Sequence, residues 1–246
     1  MAKRYCPLYG YTALYLDCLE CEEKLCKKEV SKTQMAKKNK IVIGIDQSYQ
    51  DTGIAIAMNG QIKAISDCFT KNLKSNTEKR KTLNNRLRTI FKAMSEKQSE
   101  YTNCELICII ERIRLHSAKP GTDSFINIDY IKSIGALNAM IVDLASEFNI
   151  PVYSVDTRSW KAQVVGDSTR LANKCGIDPE KWRTIQFVIH KLHRESDILQ
   201  PVSNRTKKGI VKTIDGVKYT YNDNKADAAC IALYGFCSNQ KLEGEH

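Results

Sequence analysis

Three carboxylates in this chain stand where a fold can bring them together. Asp46 ends a short apolar run, IVIGID (41–46), and Glu111 ends another, ELICIIE (105–111). Asp227 falls in the first turn of an apolar helix expected over 225–238, with Asp223 and Asn224 just before it. Carboxylates that end neighbouring strands converge at one edge of a sheet, and a helix packed across that edge adds another. Three or four such groups repel each other unless cations sit between them. Mg²⁺ (or Mn²⁺) is the natural occupant, because it takes hard oxygen ligands and bridges to phosphate. Two such ions in one site activate water and stabilise the leaving oxygen of a phosphodiester. One strand-end Asp alone reads as a cap or turn residue; the ordered set carries the chemical reading.

A second group of residues has metal-ligand spacing. Four of the ten cysteines, Cys6, Cys18, Cys21 and Cys26, crowd the N-terminus as C-x11-C-x2-C-x4-C. A CxxC puts two thiolates on one tight turn, and two further cysteines complete a tetrahedral Zn²⁺ site. The expectation is a four-cysteine zinc module over residues 1–30 that owes its folding energy to one structural ion. The bland alternative is a set of free thiols in an arm. Cys68, Cys104, Cys108, Cys175, Cys230 and Cys237 lie in apolar contexts and read as buried small hydrophobes. His190 and His193 have no third ligand, so a solvated or capping role is expected of them.

The elements that must position the acids follow from the pattern. Residues 31–40 (SKTQMAKKNK) are polar and basic and read as a linker to a main domain over 41–240. Strands are expected at 41–46, 53–58 and 61–68, the last two joined by an Asn59-Gly60 turn. Ser75 and Glu78 form a capping box ahead of a helix carrying Leu83, Leu87, Ile90, Phe91 and Met94 at helical spacing. ELICIIE reads as a buried central strand. A basic loop (112–123) follows, with Arg112, Arg114, His116 and Lys119. The helix over 124–147 is apolar on more than one face, so it is either doubly buried or a subunit contact. PVYSVD (151–156) is a further strand, and 157–163 and 168–193 read as helical, broken at Gly176 and Pro179. A hairpin spans 210–221 with an Asp-Gly turn. Around it Arg205, Lys207, Lys208, Lys212, Lys218 and Lys225 face only Asp215 and Asp223, which suits phosphate contact or a solvated loop. Trp160 reads as a core anchor ahead of Lys161. Strands and helices in this order give a layered α/β domain.

These segments resemble the RuvC-type Holliday-junction resolvases of the RNase H-like superfamily. IGIDQSYQDTGIAIAMNGQI is similar to their opening strand pair, CIIERIR to their second acidic motif, and NDNKADAACIA to their closing D-x-x-D-A-x-x-x-A helix. VDTRSWKAQVVGDSTR is similar to the intervening segment that ends in V-V-G and carries a lysine for DNA phosphates. The resemblance covers about residues 41–238. It implies a three-layer RNase H-like domain with a central mixed sheet, beyond which the cysteine module is extra, as in phage or mobile-element relatives. It implies that Asp46, Glu111 and Asp227 are catalytic ligands of two Mg²⁺ (or Mn²⁺) ions. The family's fourth acid falls at Asn224 here; Asp223, one residue earlier, is the favoured replacement, and Asn224 retains a carbonyl donor. Lys161 matches the phosphate-contacting lysine and Arg170 a second basic residue. The position of an aromatic wedge in some members falls near Arg114. Four-way DNA junctions are the implied substrate, cut by paired nicks in a homodimer that pairs through helix 124–147.

Composition agrees with a nucleic-acid partner. The 246 residues carry 38 Lys and Arg against 28 Asp and Glu, a formal charge of +10, which favours a polyanion or marks a merely basic enzyme. No run of about 18 apolar residues occurs, so no membrane partner is expected. No signal peptide is evident, and a cytoplasmic setting in a bacterium or phage-infected host is the expectation. Two rival readings stay open. One is a sister nuclease acting on flaps, branched DNA or hybrids. The other is a DNA-structure binder that does not cut, for which the Asn224 departure speaks.

Overall fold

In the computed structural model, residues 3–5, 12–14, 39–112, 128–166, 176–202, 209–238 and 242–245 are described. Two compact units divide the chain, Met1–Lys38 and Asn39–His246. In the first, β1 (Lys3–Tyr5) pairs antiparallel with β2 (Thr12–Leu14). Cys6, Cys18, Cys21 and Cys26 lie outside the described residues.

The second unit is built on a six-stranded mixed sheet. Its strands are β3 (Asn39–Asp46), β4 (Asp51–Met58), β5 (Gln61–Phe69), β6 (Cys104–Glu111), β7 (Val152–Val155) and β11 (Glu243–Glu245), in the spatial order β11-β7-β6-β3-β4-β5. The first three form an antiparallel meander, and β6 and β7 then add parallel to β3. β3 starts at Asn39, two residues inside the stretch read as linker. The Asn59-Gly60 turn has φ of 51° and 81° at its two residues, the left-handed pair that a two-residue hairpin requires.

Each sheet face is covered, giving three layers. Ile41, Ile43 and Ile45 of β3 and Leu106, Cys108 and Ile110 of β6 point to one face. There they meet α1 (Asn76–Ser99), through Leu83, Leu87, Ile90 and Phe91, and α2 (Ile128–Ser146), through Ile134, Leu137, Ile141 and Leu144. The Ser75–Glu78 capping box is formed on both sides. The expected α/β domain with a central mixed sheet is therefore present. Much of the apolar surface of α2 is spent on this chain's own core.

Alternate residues Val42, Ile107 and Ile109 face the other side, under α6 (Asp223–Tyr234). This helix starts two residues before the expected position. Asp223 and Asn224 thus occupy its first turn, Asn222 caps it, and Asp227 moves into the second turn. It ends at Tyr234, before Gly235, rather than at 238. Beside it lie α3 (Thr157–Trp160), which runs into a wider turn over Lys161–Val165, and α4 (Pro179–His190), capped by Asp178. Three further elements complete a small antiparallel sheet: β8 (Leu199–Val202), which follows the short α5 (Glu195–Ile198), then β9 (Lys212–Ile214) and β10 (Val217–Tyr221), in the order β8-β10-β9. The hairpin was expected; β8 and β11 were not. Cys68, Cys108 and Cys230 are buried and Cys104 and Cys237 half-buried, and none of these five is in a disulfide. No helix among the described residues is long and apolar enough to cross a membrane.

Candidate active site

Register brings the first two acids together. β3 and β6 run parallel with Ile45 beside Ile110, so Asp46 and Glu111 end neighbouring strands side by side. Pleat alternation turns both toward the face that α6 covers. Gln47, the next residue, fastens this edge. Its Nε2 donates to the Glu111 carbonyl at 2.5 Å and its Oε1 accepts from the Glu111 N–H at 3.1 Å. The Thr157 hydroxyl, at the start of α3, donates to Glu111 Oε1.

Two glycines let α6 complete the set. A Cβ on Gly44 would come closer than 3.0 Å to backbone atoms of Ala228 and Ala232, and one on Gly53 equally close to Asn224 and Lys225. The helix therefore rests on bare backbone of β3 and β4, and Gly53 is the register partner of Asp46. Asp223 and Asp227, four apart, share one helix face.

The acids act on one another electrostatically. Burial holds the Asp46 carboxyl well above its ordinary range, and the charges of Asp227, Glu111 and Asp223 push it further; Lys181 opposes them. Burial likewise raises Asp227 to about 7, with Glu111 and Asp223 adding to the shift and Lys161 and Thr184 opposing it. Asp227 Oδ1 is buried with no hydrogen-bond partner. Mutual repulsion and an orphaned buried oxygen are what a cation relieves, and the donors are all hard oxygens, so the set suits Mg²⁺ or Mn²⁺. No three His, Cys, Asp or Glu side chains among the described residues already close on one point. Asp223 is drawn onto Lys181 of α4, and Glu111 onto Thr157.

The rest of the expected site divides by location. The Asn224 amide donates to the Asp51 carbonyl at 2.5 Å, so its side chain is engaged on β4, whereas Asp223 acts on both Asp46 and Asp227. Lys161 lies near Asp227, with Nζ 3.7 Å from Glu180 and 5.3 Å from the Trp160 ring centre. Trp160 is fully buried, in keeping with a core anchor. Arg112 is paired with Glu243 of β11. Arg114, His116, Lys119, Arg170, Lys207 and Lys208 lie outside the described residues. His190 Nε2 meets Gln186 Oε1 at 2.8 Å, one helical turn away.

Three residues of the site had not been singled out from the sequence: Gln47, Thr157 and Lys181. Gln47 directly follows the first acid and Thr157 follows the capping Asp156, and their bonds to Glu111 exist only once the strands have paired. Lys181 lies 42 positions before Asp223 and only packing joins them.

No protein-family model matches the sequence, and no curated protein matches it. Among solved structures, RuvC from Thermus thermophilus is similar at 14% identity, covering 78% of this chain and 91% of that one, with a TM-score of 0.45. The T. thermophilus RuvC in complex with a Holliday junction substrate is similar at 13% identity, covering 82% and 99%, with a TM-score of 0.49.

Proposed function

We propose that this chain is a divalent-metal-dependent endonuclease with an RNase H-like core that cuts branched DNA, four-way junctions foremost, by paired nicks. The observation that carries this reading is the crowding of Asp46, Glu111, Asp223 and Asp227 at one sheet edge, with a buried and unpartnered oxygen on Asp227. The four sequence segments that resemble RuvC-type resolvases support it, because they are the segments that build this edge.

In this reading Asp46, Glu111, Asp223 and Asp227 hold two Mg²⁺ or Mn²⁺ ions. When bound, the pair supplies Lewis acidity that activates water and neutralises the departing 3′-oxygen, giving a 5′-phosphate and a 3′-hydroxyl. The protein's part is positional. Gln47 keeps the ends of β3 and β6 in register, and Thr157 sets the orientation of Glu111. Lys161 and Lys181 bring positive charge to the rim, where a phosphate approaching the acids needs it. Lys181, paired with Asp223 in the metal-free chain, would be available to a phosphate when Asp223 serves as a ligand. Paired nicks call for two sites related by a twofold axis, and α2, where Ile131 and Met140 stay partly exposed, is the proposed contact. The four N-terminal cysteines are proposed to hold one zinc ion.

The deciding experiment incubates the protein with Mg²⁺ and a labelled immobile four-way junction, beside matched duplex and flap substrates. Symmetric nicks in the junction, absent from Asp46→Asn, are expected. Preferential cutting of flaps or hybrids would shift the assignment to a sister nuclease. Junction binding without cleavage would make the chain a structure-selective binder.

A further inference from the structure

The large apolar side chains most open to solvent among the described residues are Phe69, Ile214 and Val217, at 51%, 46% and 41% exposure. The last two face each other. Ile214 is the register partner of Val217 across the Asp215-Gly216 turn, whose φ values of 48° and 77° make it a tight two-residue hairpin. Alternation puts Lys212 and Tyr219, themselves register partners, on the same face as this pair. The tip of the β9–β10 hairpin is thus a small apolar knob on a face that also carries a cation and an aromatic ring.

The root of the hairpin is fixed. β10 runs directly into Asn222, which is 1% exposed. Asn222 Nδ2 lies 2.8 Å from Asp51 Oδ2, 2.9 Å from Gln200 Oε1 and 3.3 Å from Asp67 Oδ2. Its Oδ1 accepts from the Lys225 N–H at 3.0 Å, and its own N–H donates to the Ile198 carbonyl at 2.7 Å. β8 pairs along the free side of β10 as far as Lys218. Glu195 accepts from the Tyr221 hydroxyl and pairs with Lys212, both at 2.6 Å. One residue therefore caps the acid-bearing helix and anchors the hairpin to β4, β5 and β8. Val217 stands six positions before Asp223, a reach of about 20 Å at most.

Size and charge choose the partner. A protein-binding surface exposes a contiguous apolar patch of several hundred Å², and two β-branched side chains at a turn make far less. An unstacked base, by contrast, is covered by one or two apolar side chains. The sequence from Arg205 to Lys218 carries five Lys or Arg against one Asp, a balance that favours contact with phosphates; Lys212 is also paired with Glu195, and Lys225 is turned inward to Asp67.

We infer that the β9–β10 hairpin is a DNA-engaging arm whose Ile214–Val217 tip packs on an unstacked base at a branch point, held at a fixed reach from the acidic edge. The identity of the partner rests on the DNA reading above.

The test uses the full chain without Mg²⁺, with a four-way junction carrying 2-aminopurine beside the branch and a duplex carrying it in the same sequence. Wild type should raise the junction fluorescence. Ile214→Ser with Val217→Ser should lose most of that rise and about tenfold in junction affinity, while duplex affinity stays within about twofold. Ile214→Trp, which enlarges the knob, should retain or increase the rise. A serine variant with an unchanged rise and unchanged junction preference overturns the arm, as does an Ile214→Trp protein that loses the rise. Cleavage with Mg²⁺, run in parallel, separates the two claims. Junction cutting with a tip-independent rise sinks the arm alone, a tip-dependent rise without cutting sinks the nuclease reading alone, and no DNA binding sinks both.

Discussion

Asp227 has one oxygen buried and unpaired beside other carboxylates, and its pKa is lifted from 3.8 to about 7. The folded chain therefore keeps a proton that the unfolded chain sheds near pH 4. Stability from this source is fully present below that pH and is lost as pH rises through about 7, by up to about 4 kcal/mol in the metal-free protein. Asp46 shifts in the same direction. Thermal melts in Mg²⁺-free buffer should show Tm falling from pH 5 to pH 8. Asp227→Asn should flatten that fall, and added Mg²⁺ should raise Tm more at pH 8 than at pH 5. A Tm that rises across this range would contradict the crowded-acid geometry. The three acids were legible in sequence because each ends or enters an apolar run. Gln47 and Thr157 were not, because a clasp between strand ends exists only once the register is known. Asp223 is favoured over Asn224 by residue type, and in the fold the Asn224 amide nitrogen donates to the Asp51 carbonyl.

The same edge depends on how one helix seats on two strands. α6 presents Ala226, Ala228, Ala229 and Ala232, all fully buried, and Gly44 and Gly53 give it bare backbone to lie on. Gly53→Ala should push the first turn of α6 away from Asp46. The expected result is a loss of about 2 kcal/mol in urea unfolding, together with weaker Mn²⁺ binding by calorimetry. Ser75→Ala, which removes half of the capping box on α1, should cost about 1 kcal/mol and leave Mn²⁺ binding untouched. The opening meander and central strand could be read from apolar runs and an Asn-Gly turn. β8 could not, because its LQPV has a proline and no alternation, and it is a strand only because β10 pairs with it. β11 is a three-residue Glu-Gly-Glu edge with no apolar signal of its own. The start of α6 was read late because Asp223 and Asn224 look like turn residues, whereas Asn222 is the cap.

At the scale of the molecule, a charge of +10 means that the proposed binding to DNA would be salt-sensitive. With about six phosphate contacts, affinity should fall on the order of 10³-fold between 50 and 200 mM salt. A fluorescence-anisotropy titration at several salt concentrations measures the slope, and a flat response would remove nucleic acid as the partner. Metal analysis of the purified chain should find about one zinc per molecule, lost when Cys18 and Cys21 are both changed to serine. The unit over Asn39–His246 has its own core on both sheet faces, so its cooperative unfolding should survive that change.

The close seating of α6 also sets a time scale. Amide groups of Ala228 to Ala232 lie between a helix and a sheet whose backbones nearly touch, so water reaches them only when the whole layer separates. Their hydrogen exchange should follow the slowest, global opening of the molecule. Two of the four acids are carried on that helix, so the acidic edge has no loose state of its own. It should stay assembled up to the temperature at which the domain itself gives way.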